Sequence, residues 1–516
     1  MAANIEIGAS PEGVQSMALK RANRHGLIAG ATGTGKTVTL QVLAEAFARE
    51  GVNVFAADIK GDLSGCASVD ATPPAWAAAR AAEINIPINP EAQSVVFWDV
   101  YGDLGHPVRT TVTEMGPVLM GRVLEATDAQ AGALTIAFRL ADDWIKQGKN
   151  EGLLLDLNDL RALLSYISDN AEDIGKQYGL VTPQSIAALQ RKLLQLEMDG
   201  ADRFFGEPAF KLEELTRTRP DGKGTINVLA SERLVQSPRL YSAFLLWLMS
   251  ELWEELPEVG DLDKPKLVFF FDEAHLLFRD APKELINKVE QVVRLIRSKG
   301  VGIYFVTQSP TDVPEMVLSQ LGNRFQHALR AYTPTDQKAV RAAAQSFRAN
   351  ENVDVAKEIQ ELNVGEALVS TLDEKGAPTP VARTKIRAPN SHVGPILPAE
   401  RQALMRANTA GRVYEKAIDR ESAHEILGRR AAQLAETQAR EEEREAREKE
   451  EARASRSGAR SNGPRSNGTR RSSSGGGSRT TAIERQGGRV ASGVMNTIVR
   501  ELMRGILGTP SRGRRR

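Results

Sequence analysis

Residues 30–37 read Gly30-Ala31-Thr32-Gly33-Thr34-Gly35-Lys36-Thr37, which matches the pattern Gly, any four residues, then Gly-Lys-Ser/Thr. The apolar run Gly26–Ala29 precedes it and an amphipathic run, Val38–Phe47, follows it. Strand, glycine-rich turn and helix in that order make a phosphate cradle. Gly30, Gly33 and Gly35 permit backbone conformations that aim successive N–H groups at phosphate oxygens. The helix beginning near Lys36 adds the positive end of its dipole. Lys36 is then set to reach the β- and γ-phosphates of a nucleotide, and the Thr37 hydroxyl to hold Mg2+. The expected binding set is Gly30, Ala31, Thr32, Gly33, Thr34, Gly35, Lys36, Thr37 and Val38, with ATP and Mg2+ as the ligands.

Such a loop needs an acidic partner at the end of a nearby strand. Leu267-Val-Phe-Phe-Phe271 followed by Asp272-Glu273-Ala274-His275 supplies one. The apolar run reads as a buried strand whose carboxyl end carries Asp272 to the Mg2+ and Glu273, one step on, to the attacking water. An Asp-Glu pair here favours hydrolysis over transfer to another acceptor. The next strand-like run, Gly302–Val306, ends in Thr307-Gln308-Ser309-Pro310. Gln308 is thereby a candidate to sense the γ-phosphate or orient water.

Outward from these motifs, strand-like runs recur at Val52–Ala57, Ser94–Trp98, Thr225–Leu229 and Phe325–Leu329. Most are continuously apolar, as strands covered on both faces should be. Helical patterns lie between several of them: Thr37–Arg49, Pro282–Lys299 and Pro334–Ala344. The alternation predicts an α/β fold with a mainly parallel sheet. Glu366–Thr371 and Pro380–Ile386 read as a closing hairpin. Lys36 and Asp272 are 236 residues apart, too far for one crossover; the helix-rich stretch 116–220 reads as an insertion that takes up the distance. The expected division is 1–115 and 221–397 as two parts of one core, 116–220 as helical insertion, 398–454 as a charged helical segment, 455–481 as a disordered Gly/Ser/Arg linker and 482–516 as a cationic amphipathic helix with a basic terminus. On that last helix Val490, Val494, Ile498, Leu502 and Ile506 form one stripe.

With 516 residues, 41% apolar and 26% charged, the composition is that of a globular protein and excludes collagen-like, disulfide-framework and wholly disordered classes. Cys66 is the only cysteine, so neither an intramolecular disulfide nor a cysteine-based zinc site can form, which suits a cytoplasmic protein. No signal peptide or membrane span is read. Charge is unevenly spread. Residues 456–516 hold fourteen arginines against two glutamates, a net +12, which leaves −11 for the rest of a chain whose total is +1.

Taken together, the chain resembles the HerA–FtsK superfamily of RecA-like P-loop ATPases and, within it, bacterial YjgR-like, HerA-like ATPases. The resemblance rests on Gly30–Thr37, Asp58-Ile-Lys-Gly-Asp62, Gly105-His-Pro-Val-Arg-Thr-Thr111, Asp202-Arg-Phe-Phe-Gly-Glu207, Phe271–His275, Arg294-Leu-Ile-Arg-Ser-Lys-Gly300, Thr307–Pro310 and Gly322-Asn-Arg324. It implies a ring, a homo-hexamer, with ATP between subunits. It also implies an arginine finger acting on the neighbour's nucleotide, at Arg297 or, second, Arg324. With the loop beginning at Gly30, the β-barrel that precedes it in HerA is expected to be absent, as are the membrane spans of FtsK. Asp-Glu-Ala-His also occurs in two-lobed DEAH helicases, but the expected second lobe is missing. The resemblance implies a double-stranded DNA translocase or helicase-like motor. The alternative is an ATPase that remodels a protein partner, engaged through the C-terminal helix, or a nucleotide-dependent scaffold. The −11 body favours the alternative, because Lys and Arg supply most affinity for DNA; the arginine-rich tail favours DNA.

The tail can be tested separately, since every assigned catalytic residue precedes residue 330. Deleting residues 456–516 should leave DNA-free ATP turnover intact while weakening duplex binding and flattening its dependence on salt. Fluorescence anisotropy across a salt series checks this; unchanged affinity and slope would remove the tail from DNA binding.

Overall fold

Along Leu267–Phe271 successive side chains go to opposite faces of the sheet: Phe269 and Phe271 enter one apolar layer, and Val268 and Phe270 the other. All five residues are buried. This is why the run is apolar without alternation, and it makes the molecule three-layered, with helices on both sides. A computed structural model describes residues 4–458 of the protein, apart from Asp261 and Asp280. Of the linker expected at 455–481, residues 455–458 continue helix Ala423–Gly458; the rest of it and the amphipathic stripe lie outside the described residues.

Among the described residues, twelve strands form one sheet: β1 (Asn4–Ser10), β2 (Gly13–Ala18), β3 (Gly26–Ala29), β4 (Asn53–Asp58), β5 (Val95–Asp99), β6 (His106–Pro107), β7 (Ile226–Ala230), β8 (Leu267–Phe271), β9 (Val301–Thr307), β10 (Asn323–Gln326), β11 (Glu366–Ser370) and β12 (Ala382–Ile386). Their order is β2-β1-β12-β11-β10-β3-β9-β8-β4-β7-β5-β6. From β10 to β6 every pairing is parallel, so the α/β expectation of a mainly parallel sheet holds. From β10 to β2 every pairing is antiparallel. The expected hairpin is β11–β12. The β1–β2 hairpin was not expected. It docks on β12 through the register Gly8↔Ile386, where a Cβ on Gly8 would meet the Lys385 carbonyl at 2.0 Å.

Helix Lys36–Arg49 packs Leu40, Leu43 and Phe47 onto one face of the sheet; there Phe47, Phe270 and Tyr304 meet with ring centroids 5.2–6.2 Å apart. The other face is covered by helices Pro238–Glu255 and Lys283–Leu295. Helices Val112–Val123, Asp128–Lys146, Leu157–Asp169 and Pro183–Met198 share their apolar core with Phe55, Trp98 and Phe269 of the strands. Helix Pro238–Glu255 is buried almost all round, as an element apolar on every face should be. The body runs to Thr437. From Gln438 on, the described residues are the distal part of helix Ala423–Gly458, where Arg444–Glu448, Glu443–Arg447 and Glu445–Lys449 form i,i+4 pairs in a stretch whose apolar residues are all alanine. No helix among the described residues is long and apolar enough to cross a membrane.

His25 joins the amino ends of three central strands. Its backbone is left-handed, with φ of 60°. The Ile303 N–H donates to its Nδ1 at 3.0 Å, and its carbonyl accepts from the Asn323 N–H and side-chain amide at 3.1 and 3.0 Å. An Nδ1 that accepts cannot carry a proton. Burial, with the nearby charges of Arg297 and Arg24, pushes the His25 pKa down to about 4. Between that value and the ordinary 6.5 the unfolded chain binds a proton that the folded chain refuses, so stability rises with pH across this window and is lost on acidification. His25→Asn keeps a side-chain acceptor and removes the group that titrates. It should make the fall in unfolding free energy between pH 6.5 and pH 4 shallower, by up to ~1.4 kcal/mol per pH unit. Denaturant titrations at a series of pH values check this.

Candidate active site

The carboxyl ends of β3, β4, β8, β9 and β10 lie side by side, because parallel pairing puts all five at one edge of the sheet. That edge is where open α/β sheets bind ligands. The loop after β3 is pinned on both flanks: the Gly30 N–H donates to the Thr307 carbonyl at 3.2 Å and the Ala31 N–H to the Ala328 carbonyl at 2.8 Å. Gly30, Gly33 and Gly35 all have positive φ, at 156°, 76° and 108°. A Cβ on Gly30 would meet His327 Cβ at 2.5 Å, and one on Gly35 would meet the Gly365 nitrogen at 3.1 Å. His327 is buried, with its Nε2 hydrogen-bonded to the Thr39 hydroxyl at 2.9 Å. The Gly365 N–H donates to the Thr34 carbonyl at 3.0 Å. The loop is therefore held on the side away from Thr32 and Gly33, which are exposed.

The helix that follows has no side-chain cap at its amino end, so its first N–H groups are available to an anion. Lys36 is buried, and its Nζ donates to the carbonyls of Gly30 and Ala31 at 2.6 and 3.1 Å. Burial lowers its pKa; Glu273 and Asp272 act in the opposite direction and Lys60 in the same one. Asp272 and Glu273 are both buried at the end of β8. Burial pushes Asp272 up to about 6, opposed by Lys60 and reinforced by Glu273. For Glu273 burial acts upward, but Lys60, Gln308 and Lys36 together hold it below the usual carboxylate range. Gln308 Nε2 donates to Glu273 Oε2 at 3.3 Å.

These residues fit a magnesium nucleotide. The loop offers N–H groups and an ammonium to phosphates, and the Thr37 hydroxyl and Asp272 carboxylate are hard oxygen donors for Mg2+. Among the described residues no group of three His, Cys, Asp or Glu side chains forms a metal cage, and Mg2+ characteristically takes one or two protein ligands with phosphate oxygens and water.

The two arginines do not join this group in their own chain. Arg297 lies in the turn Ile296–Lys299 that leads into β9. It is thus at the amino end of a strand whose carboxyl end carries Thr307, ~20 Å away at a rise of ~3.3 Å per residue. Arg324 is at the same edge, near the start of β10; its Nε and Nη2 donate to the carbonyls of Leu321 and Leu318 at 3.2 and 3.1 Å.

The family described as Helicase HerA-like C-terminal matches residues 5–516. The chain belongs to this family. Over 156 residues it is 31% identical to a protein of Methanocaldococcus jannaschii named a probable helicase, 28% of each chain being covered. Over 104 residues it is 29% identical to the DNA double-strand break repair helicase HerA of Saccharolobus solfataricus, covering 20% of each. The HerA-like chain thus spans less than a third of the length of these curated relatives. Its fold is similar to that of the plasmid coupling protein TrwB, solved with the ATP analogue ADPNP. That likeness has a TM-score of 0.51 at 16% identity and covers 77% of this chain and 96% of TrwB.

Sequence reading of this HerA-like chain did not assign three residues that touch the site. Asp58 and Lys60 follow β4 as Asp272 and Glu273 follow β8, so the same rule, polar residues directly after a buried apolar strand, was available to find them. Lys60 Nζ lies 2.5 Å from Glu273 Oε1. His327, under the loop glycines, had no local signal at all.

The close fit beneath the loop gives a direct test. Gly35→Ala would have to hold a left-handed φ and press on the Gly365 backbone, a strain of ~1–3 kcal/mol that the loop relieves by shifting. Isothermal titration calorimetry should find ATP binding weakened about tenfold or more.

Proposed function

We propose that the protein is a Mg2+-dependent ATPase that works as a ring motor, a homo-hexamer translocating on double-stranded DNA in the manner of a helicase. The observation that carries the reading is the meeting, at one sheet edge, of the Lys36–Thr37 helix start with Asp272, Glu273 and Gln308. In this reading Gly30–Val38 and Lys36 bind the phosphates, and Thr37 and Asp272 hold the metal. Mg2+ held by these two residues would supply neutralisation of phosphate charge. Glu273 accepts the proton of the attacking water and Gln308 fixes the carboxylate. Arg297 acts on the neighbouring subunit's nucleotide, which agrees with its lying at the edge opposite its own loop; Arg324 is the second candidate.

DNA as the substrate is supported by family membership and by the +12 of residues 456–516. The −11 of residues 1–455 supports the second reading, an ATPase that remodels a protein partner or serves as a scaffold. Stimulation of hydrolysis by duplex DNA separates the two. A cytoplasmic location is part of the proposal and rests on the single cysteine, Cys66, which is buried and unpaired.

Lys36→Ala should abolish nucleotide turnover by removing the charge that faces the β- and γ-phosphates. Glu273→Gln should retain ATP binding while cutting hydrolysis by a factor on the order of 10²–10⁴, the usual worth of a general base. Arg297→Ala should also bind ATP and hydrolyse it poorly. Mixed with Glu273→Gln protein under conditions where subunits exchange, it should regain partial activity, because some interfaces then pair an intact Arg297 with an intact Glu273. Normal turnover by Glu273→Gln would displace it as the base, and no recovery on mixing would count against action between subunits.

A further inference from the structure

The turn after β4 is built around one buried carboxylate. Asp58 Oδ1 accepts the backbone N–H groups of Lys60 and Gly61 at 3.2 and 2.9 Å, and its Oδ2 accepts that of Leu63 at 3.0 Å. Gly61 turns the chain with φ of 78°. These bonds fix the Lys60 backbone beside β8. Its side chain, 42% exposed, turns inward to Glu273, which is only 8% exposed.

Both carboxylate oxygens of Glu273 have a partner there. Oε1 meets the Lys60 ammonium at 2.5 Å, and Oε2 faces Gln308 Nε2 and His275 Nδ1, each at 3.3 Å. Its backbone is left-handed, φ 47°, a conformation costly for a residue with a Cβ and characteristic of switch positions. The following N–H groups hold it in place: that of Ala274 donates to the Val306 carbonyl at 2.7 Å, and that of Leu276 to the Glu273 carbonyl at 2.9 Å. The ammonium on one oxygen and the Gln308 amide on the other occupy the positions from which the carboxylate would meet the attacking water. Gln308 is a neutral donor and can orient the group without neutralising it; Lys60 neutralises it. Lys60 also faces solvent, so its ammonium can leave into water when the pair opens, whereas Lys36 is enclosed by its own loop.

We propose that Lys60 is a latch: its ion pair holds Glu273 out of use, and the pair opens for hydrolysis when the motor engages its polyanionic track, whose phosphates compete for the ammonium. Lys60 is then a positioning residue acting through Glu273. The inference rests on the ATPase reading of the site and adds a regulatory role to it.

The test is the full-length Lys60→Met protein, which keeps the length of the side chain and loses its charge. Its DNA-free ATP turnover should rise about three- to tenfold over wild type, its Kd for ATP should stay within about twofold, and the stimulation by duplex DNA should shrink by the same factor that basal turnover gains; tenfold corresponds to 1.4 kcal/mol. Lys60→Arg preserves the charge and should behave as wild type. A readout independent of turnover is the thermal unfolding of nucleotide-free protein: Lys60→Met and Glu273→Gln should shift Tm non-additively, because each removes the same pair. If Lys60→Met hydrolyses ATP at or below the wild-type rate, or if the two substitutions are additive in Tm, the latch is wrong while the ATPase reading stands. If wild type hydrolyses no ATP with or without DNA, the reading of the site fails and the latch with it. Should Lys60→Met fold poorly, Lys60→Gln carries the same expectations.

Discussion

Parallel pairing of a four-residue strand sets the geometry of the whole site. Gly26–Ala29 pairs with Tyr304–Thr307 on one side and with Asn323–Gln326 on the other. That register fixes where the chain leaves the sheet at Gly30, directly between Thr307 and Ala328, and the two backbone bonds to those residues hold the phosphate loop open. The next strand along, β8, is in register with β9 through Phe271↔Phe305, which brings Asp272 and Glu273 to the same edge. A slip of one residue in either pairing would turn buried side chains to the wrong face and move the carboxylates off the edge. The aromatic contacts Phe270–Tyr304 and Phe271–Phe305, one on each face, resist such a slip.

Burying this much charge at one edge is tolerable because it is nearly balanced. Asp58, Asp272 and Glu273 stand against Lys36 and Lys60. Asp58 and Asp272 lie on adjacent strands, and burial with mutual repulsion pushes Asp58 up to about 7. Its three backbone hydrogen bonds offset part of that. Mg2+ arriving with a polyphosphate would cancel part of its negative charge, and Lys36 with the loop N–H groups would meet more of it. One non-glycine site residue also has a left-handed backbone: Glu273, just after β8, has a φ of 47°.

Much of this was legible in the sequence because it is local. The apolar runs read as strands within one or two residues of Asn53–Asp58, Val95–Asp99 and Leu267–Phe271, since a strand covered on both faces needs an unbroken apolar run. The loop and the Asp272-Glu273 pair were visible because each is a contiguous pattern. What escaped is non-local. Ile5, Ile7 and Met17 are too sparse to declare a hairpin, and β1 becomes a strand by pairing with residues near Ile386. The Lys60–Glu273 pair joins residues 213 positions apart, and His327 meets Thr39 across 288. β10 was expected at Phe325–Leu329 and begins two residues earlier, because Asn323 is drawn into the sheet by His25 rather than by apolar burial.

The central claim is that this edge is a complete ATP site once a neighbouring subunit closes it. A cryo-electron microscopy structure of the Glu273→Gln protein with ATP and Mg2+ tests it most directly. The account predicts a ring in which the phosphates lie on Gly30–Thr37, the metal touches Thr37 and Asp272, and an arginine from the amino-end edge of the adjacent subunit, Arg297 first, reaches the γ-phosphate. Nucleotide bound away from the Gly30–Thr37 loop, or an interface that presents neither Arg297 nor Arg324 to it, would contradict the account.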